Sequence, residues 1–322
     1  MRRLFLLILL AATLLIAALA RAQTTTPECG SFAVLTPGIW ARIASDTPNN
    51  LRAEPGLSSE RIGMIPAGDI FRVLDGPACA DGYVWWQVDY VGVTGWTAVG
   101  RIGETAWVQP LAGQDASAQP TADDDPGCLR PPDDYTRTIV NGFAEFNLRT
   151  LAMLDHAQAL YSAGGGIIRL RTAVMQGGYN NGYVAVSFGT HDGGGAVDLS
   201  VRDLETRMVL QREIEPLLEA LRTAGFAAWL RRENQLNPGS VIHIHAIAIG
   251  DAEASDTARA QVNGEYGYLR GYNGLPPEWG GPERDDLPLV FCSWMAEMGF
   301  AYTLAPILQP ASIFARTAST SE

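Results

Sequence analysis

Four histidines and no lysine limit the chemistry open to this 322-residue chain. Three of the four histidines fall in two short strings. One is Thr190-His191-Asp192-Gly193-Gly194-Gly195-Ala196-Val197-Asp198, and the other is His243-Ile244-His245. His191 stands at a glycine-rich turn, and Asp198 lies in the apolar, strand-like run just after it. Alternate side chains of a strand share a face, so His243 and His245 project together. A strand bearing His-x-His beside one bearing Asp presents two imidazoles and a carboxylate. That is a common catalytic zinc set, with a fourth position left for water. The alternative is a pair of packed core histidines. Two imidazoles on one face of an apolar strand need polar partners when buried. For His156, alone in a helical stretch, the core reading is the one adopted.

Composition removes several function classes. All 23 basic residues are Arg, against 35 acidic ones, for a net charge of −12. Lysine Schiff bases and P-loop lysines are therefore excluded. An acidic chain without a basic tract lacks the clustered cations that neutralise phosphates, which argues against nucleic acid as a partner.

Residues 1–22 have the form of a secretory signal peptide: Arg2 and Arg3, an apolar run over 4–20, then Ala20-Arg21-Ala22 as a small-x-small cleavage site. An uncleaved anchor is the other reading, since the run is about long enough to cross a bilayer. Either reading predicts a secreted or envelope-associated protein, with no transmembrane segment after cleavage. Cys29, Cys79, Cys128 and Cys292 are an even set in an exported chain and suggest disulfides. Three pairings are open. The domain boundary drawn next favours Cys29–Cys79 and Cys128–Cys292.

Residues 113–127, GQDASAQPTADDDPG, hold no large apolar side chain and read as a linker. On one side, 28–112 alternates short apolar runs with Gly and Pro turns, the pattern of a small all-β barrel. On the other, 128–316 is mixed. It has helical periodicity over 142–161 and 204–224, and strands are expected at 167–170, 184–188, 196–201, 227–230 and 241–249. This is an α+β arrangement, and the chain as a whole is multidomain.

The string LRAEPGLSSERIGMIPAGDIFRVL…WWQVDYVGVTGWTAV resembles a bacterial SH3 (SH3b) domain over roughly 40–110. The resemblance implies an SH3-like barrel serving as an accessory binder, often of cell-wall peptides. A spacer without a ligand is the alternative. In the second part, H-x-x-G-x-A-x-D at His191, Gly194, Ala196 and Asp198, followed by H-x-H, resembles the zinc peptidases of the D-Ala-D-Ala carboxypeptidase, lysostaphin and hedgehog fold group. That resemblance is strong over 187–249. It implies one zinc ion per chain held by His191, Asp198 and His245, with His243 beside the metal as a hydrogen-bonding or proton-handling group.

The general base is placed less directly. Trp229-Leu-Arg-Arg-Glu233 resembles the hedgehog spacing of a Trp four residues before its Glu, which makes Glu233 the candidate. His243 is the alternative base, and Glu233 as a solvated loop charge is the bland reading. Arg171, Gln176 and Tyr183 precede the His191 motif and are candidates for substrate contacts. For Arg171, an internal ion pair is the competing reading. The function expected is a secreted zinc peptidase cutting peptide bonds of peptidoglycan, targeted by its SH3b domain. The alternative is a zinc-containing cell-wall or extracellular binding protein without catalysis.

Overall fold

The computed structural model describes residues 29, 35–114, 127–180 and 187–303. The signal segment, most of the expected linker, Tyr183 and the end of the expected second domain lie outside them.

The first unit is a seven-stranded antiparallel sheet made of β1 (Trp40–Ile43), β2 (Asn49–Arg52), β3 (Arg61–Ile65), β4 (Ile70–Ala80), β5 (Tyr83–Tyr90), β6 (Val93–Arg101) and β7 (Val108–Pro110). Its spatial order is β3-β2-β6-β5-β4-β1-β7. Ala41, Ile43, Leu51, Ile65, Phe71, Val73, Val84, Trp86, Val88 and Val99 fill its interior. Asp75-Gly76 forms a bulge inside the long strand β4, between Val73 and Ala78. Gly76 has φ of +136°, and a Cβ there would lie 2.8 Å from the Trp86 ring, so the strand bends where only glycine fits. Trp85 and Trp86 are both core, whereas Trp96 is half-buried. A disulfide joins Cys29 to Cys79.

The second unit is α+β. A hairpin of β8 (Arg137–Val140) and β9 (Ala144–Asn147) leads into helix α1 (Leu148–Ala163). The helix starts later than its periodicity predicts because 144–147 pair with β8, and Asn147 then caps the helix by accepting from Thr150 N at 2.8 Å. The strand expected at 167–170 does not form. The Gln158 amide accepts from Leu170 N (2.6 Å) and donates to Ile168 O (3.2 Å), so a side chain satisfies this backbone instead of a neighbouring strand. A helical turn, α2 (Leu170–Ala173), follows.

Four antiparallel strands then make the central sheet: β10 (Val174–Gln176), β11 (Ala196–Ser200), β12 (Phe226–Arg231) and β13 (His243–Ala248), in the order β10-β11-β13-β12. Of the strand expected at 184–188, residues 184–186 lie outside the described set, and Phe188 is in a turn with φ of +51°. Helix α3 (Gln211–Thr223) is shorter than the predicted 204–224. The Asp203 carboxylate accepts from Glu205 N, Thr206 N and Thr206 Oγ1, and Arg207 is left-handed at +62°, so a local turn replaces the first helical turns. The remaining helices are α4 (Asp256–Asn263) and α5 (Ser293–Glu297).

One face of the sheet, with Val197, Leu199, Phe226, Ala228, Ile244 and Ala246, packs on α1 and α3. The other face is covered at one end by Ala258 and Val262 of α4, by Tyr268 and Leu269, and by the Cys128–Cys292 region. The disulfide Cys128–Cys292 forms as the domain boundary predicts. His156 on α1 is a core histidine: its ring contacts Gly127 O at 2.7 Å, and burial lowers its pKa to about 4.

The two units pack against each other. Trp40, Ile70 and Leu111 of the barrel belong to the same apolar cluster as Leu151 and Leu154 of α1. Arg171 corrects its sequence assignment as a substrate contact. Its Nη1 donates to both oxygens of Asp69 (2.8 and 2.7 Å), while Nε and Nη2 grip Asp155 (2.8 and 2.6 Å). Tyr90 donates to Asp69 at 2.7 Å. The guanidinium is thus spent on a mostly buried clamp between barrel and α1.

Arg171→Met leaves Asp69 and Asp155 without their cation. The expected cost is about 3–5 kcal/mol in urea unfolding at pH 7, with partial recovery at pH 5. Burial lifts the Asp155 carboxyl to about 6 against the pull of Arg171. The folded state therefore holds that proton more tightly than the unfolded chain. Its contribution favours folding at acid pH and is lost as pH rises through 6. Equal stability of variant and parent at pH 7 contradicts the clamp.

Candidate metal centre

The register of the central sheet builds the site. Asp198 on β11 lies opposite His245 on β13, and His245 lies opposite Trp229 on β12. One row on, Ser200, His243 and Arg231 stand side by side, and Gln176 on β10 flanks Asp198. All these side chains project from the face away from α1 and α3. His191 enters from a 3-10 turn, Thr190–Asp192, reached through Gly189 at φ +77°. The glycines after it permit close approach: a Cβ on Gly193 would lie 2.3 Å from Glu253 O, and Gly195 has φ of +84°.

Backbone carbonyls and one amide decide which imidazole nitrogens carry hydrogen. A carbonyl only accepts, so His191 Nδ1 donates to Gly177 O (2.8 Å) and His243 Nδ1 donates to Val241 O (2.8 Å). His245 Nε2 donates to Gln261 Oε1 at 3.1 Å, and Gln261 Nε2 donates to Thr190 Oγ1 at 3.0 Å. The lone pairs left over converge on one carboxylate oxygen. Asp198 Oδ1 lies 2.7 Å from His245 Nδ1, 3.3 Å from His191 Nε2 and 3.8 Å from His243 Nε2.

Three acceptors facing one another in a buried site require a cation. The ligand atoms of His191, Asp198 and His245 all lie within 4.8 Å of one another. Bonds of about 2.0–2.1 Å in a tetrahedron put neighbouring ligand atoms about 3.3 Å apart. The 3.3 Å from Asp198 to His191 equals that spacing and the 2.7 Å from Asp198 to His245 is shorter, so a small opening of the group lets these residues hold a small divalent ion. Gln261 adds the outer support such a site uses, fixing the tautomer of one histidine.

Protonation follows the same geometry. Burial raises the Asp198 carboxyl, but His191 and then His245 overcome it and hold its pKa well below the usual range. Burial lowers His245 to about 4 despite the opposing pull of the Asp198 carboxylate. Burial also pulls His191 down, but Asp198 and the bond to Gly177 outweigh that and hold its pKa above normal.

Beside this group a cavity of about 280 Å³ opens, with Gln176, Arg231, Ser240, His243 and Phe188 in its wall. Phe188 stacks on Trp279 with ring centres 4.5 Å apart. His243 and Gln176 both line this cavity. Tyr179, which also precedes the His191 motif, is buried against Asn147 and Glu253.

Glu233 does not join the cavity, which corrects its placement beside the metal. Strand β12 ends at Arg231, two residues too soon for strand alternation to carry Glu233 onto the site face. The loop closes on itself through Asn234 N to Ser240 O (2.8 Å) and Gly239 N to Asn234 Oδ1 (2.7 Å). That turns Glu233 outward, 62% exposed, with Oε1 3.5 Å from Arg202 Nη2. Arg231 and Gln261 escaped the sequence reading. Arg231 carried a signal, being two residues after Trp229 in a strand. Gln261 carried none, because nothing local links α4 to the His-x-His strand.

One divalent ion per chain is expected at this site. His191→Ala, Asp198→Ala and His245→Ala each lose stoichiometric binding, and Gln261→Leu weakens affinity about 10–100-fold. Competition with a fluorescent chelator measures both. Binding weakens as pH falls through the raised pKa of His191, because the protonated ring cannot ligate. Unchanged affinity in Gln261→Leu contradicts the supporting role.

Comparison with known proteins adds one match. No curated protein and no solved structure matches the chain. The bacterial SH3 domain family matches residues 45–102, a span running from just before β2 to just after β6. The first unit of this chain thus contains a bacterial SH3 domain at residues 45–102, and β1 and β7 extend its sheet at one edge.

Proposed function

We propose that this protein is an exported zinc-dependent peptidase that hydrolyses peptide bonds of peptidoglycan, with its SH3 domain as the wall-binding element. The supporting observation is the convergence of three lone pairs of His191, Asp198 and His245 at the floor of an open cavity. Two disulfides and a bacterial SH3 domain, a fold that commonly binds cell wall, are consistent with an extracellular or envelope location. No helix among the described residues is long and apolar enough to cross a membrane.

A zinc ion held by these residues supplies Lewis acidity, polarising a scissile carbonyl and making water nucleophilic near neutral pH. The chain handles the protons. His243 has its Nδ1–H tied to Val241 O, so its Nε2 is free toward the cavity. In this reading His243 accepts the proton of the attacking water and returns it to the leaving amine. Glu233, displaced to the surface, takes no part.

A second reading, a zinc-containing binder without turnover, draws on a specific observation: among the described residues Asp198 is the one carboxylate in the cavity wall. The metal-loaded protein is expected to release products from a muropeptide mixture, with His243→Ala retaining zinc and losing at least ~10²-fold in turnover. Glu233→Gln leaves the rate unchanged. Full metal with no hydrolysis across pH values and wall types favours the binder.

A further inference from the structure

Arg231 is a buried cation with half of its fork unused. It is 1% exposed and lies in the cavity wall. Its Nη1 donates to Asn273 O at 2.8 Å, while Nη2 is buried with no hydrogen-bond partner. The guanidinium carbon stands 5.1 Å from the Trp229 ring centre, and this contact helps hold it in place. The nearby carboxylates are committed elsewhere. Asp285 pairs with Arg222, Glu283 with Arg232, and Asp198 with the histidines. Burial lowers the Arg231 pKa to about 10, which still leaves it charged at neutral pH.

Two further buried polar atoms of the same wall are unpartnered. Ser240 Oγ lies in the loop joining β12 to β13, on the Arg231 side, and Gln176 Nε2 is on β10, on the other side of the metal row. Buried donors without acceptors are unfavourable in a finished fold and mark a place where a ligand supplies the acceptor. The two sides differ in charge. Gln176 offers a neutral amide suited to a peptide carbonyl. Arg231 offers a guanidinium, whose planar fork suits a carboxylate. Among the described residues, Asp198 and Arg231 are the charged residues of the wall other than histidine. A divalent ion therefore leaves the cavity with a net positive charge, complementary to an anion.

We infer that Arg231, aided by Ser240, is the specificity determinant that binds a substrate carboxylate on the leaving-group side of the metal, with the acyl part of the peptide lying toward Gln176. The substrate class is a peptide carrying a carboxylate on the residue after the scissile bond. The leaving-group and acyl labels rest on the peptidase reading; carboxylate binding at Arg231 does not.

The test uses the zinc-loaded full chain and N-acetyl dipeptide isosteres in which a methylene replaces the scissile nitrogen, so that nothing is cut. Three probes are titrated by calorimetry: the free C-terminal acid, its C-terminal amide, and a C-terminal amide bearing a glutamate side chain, each in both enantiomeric series. The free acid is expected to bind at least about 10-fold more tightly than the plain amide. Arg231→Met should remove about 10–100-fold of that affinity while zinc content stays at the parent value. Arg231→Lys, which keeps charge and loses the fork, should fall between. Preference for the free acid assigns a terminal carboxylate, and preference for the glutamate probe assigns an acidic side chain. Equal binding of all three probes by the parent protein overturns the inference, as does an acid preference that survives in Arg231→Met or Arg231→Lys at full strength. If the preference depends on Arg231 but no muropeptide is hydrolysed, the peptidase reading fails and the carboxylate subsite stands.

Discussion

A single carboxylate oxygen, Asp198 Oδ1, faces three imidazole nitrogens on one face of the central sheet, at 2.7, 3.3 and 3.8 Å. Such a cluster is tolerable only with positive charge at its centre, from a proton or from a metal. Much of the surrounding structure serves to keep the wrong hydrogens out. The carbonyls of Gly177 and Val241 and the Gln261 amide each take an N–H, leaving the lone pairs of the three rings turned inward. Remove one of these partners and a ring is free to present N–H to the carboxylate, which satisfies Asp198 without any ion.

The scaffold that supports this cluster extends into the first unit. Strand β10, which carries Gln176 to the cavity wall, follows directly on the helical turn that contains Arg171. Arg171 is fastened to Asp69 of the barrel and Asp155 of α1. Barrel, helix and cavity wall are thus tied through one guanidinium. A domain held this way keeps a set position relative to the site. A flexible tether would set only an effective concentration.

The cavity itself is charged in an uneven way. Glu233 faces solvent beside Arg202, whereas Arg231 is drawn in. The two residues share a parity in the sequence, and only the end of β12 separates their fates. With one acid and one guanidinium in its wall, the cavity is electrostatically suited to take up an anion next to a cation site.

Several features were legible from residue order alone. The barrel follows from its Gly and Pro punctuation. The convergence of His191, Asp198 and His245 follows from strand alternation and a glycine-rich turn. Both disulfides follow from where the apolar segments divide. These are local properties: a period of two or a run of turn residues has one main structural outcome. What sequence order did not determine lies where distant groups compete for the same backbone or charge. Gln158 satisfies the backbone of 168–170 and prevents a strand. Asp203 shortens α3. Arg171 is claimed by Asp69, about a hundred positions away, rather than by a substrate. Gln261 reaches His245 from a helix with no local link to it, and β12 ends two residues too early for Glu233 to reach the cavity. Each of these depends on a partner brought near only by tertiary packing, and a pattern of neighbours along the chain does not encode it.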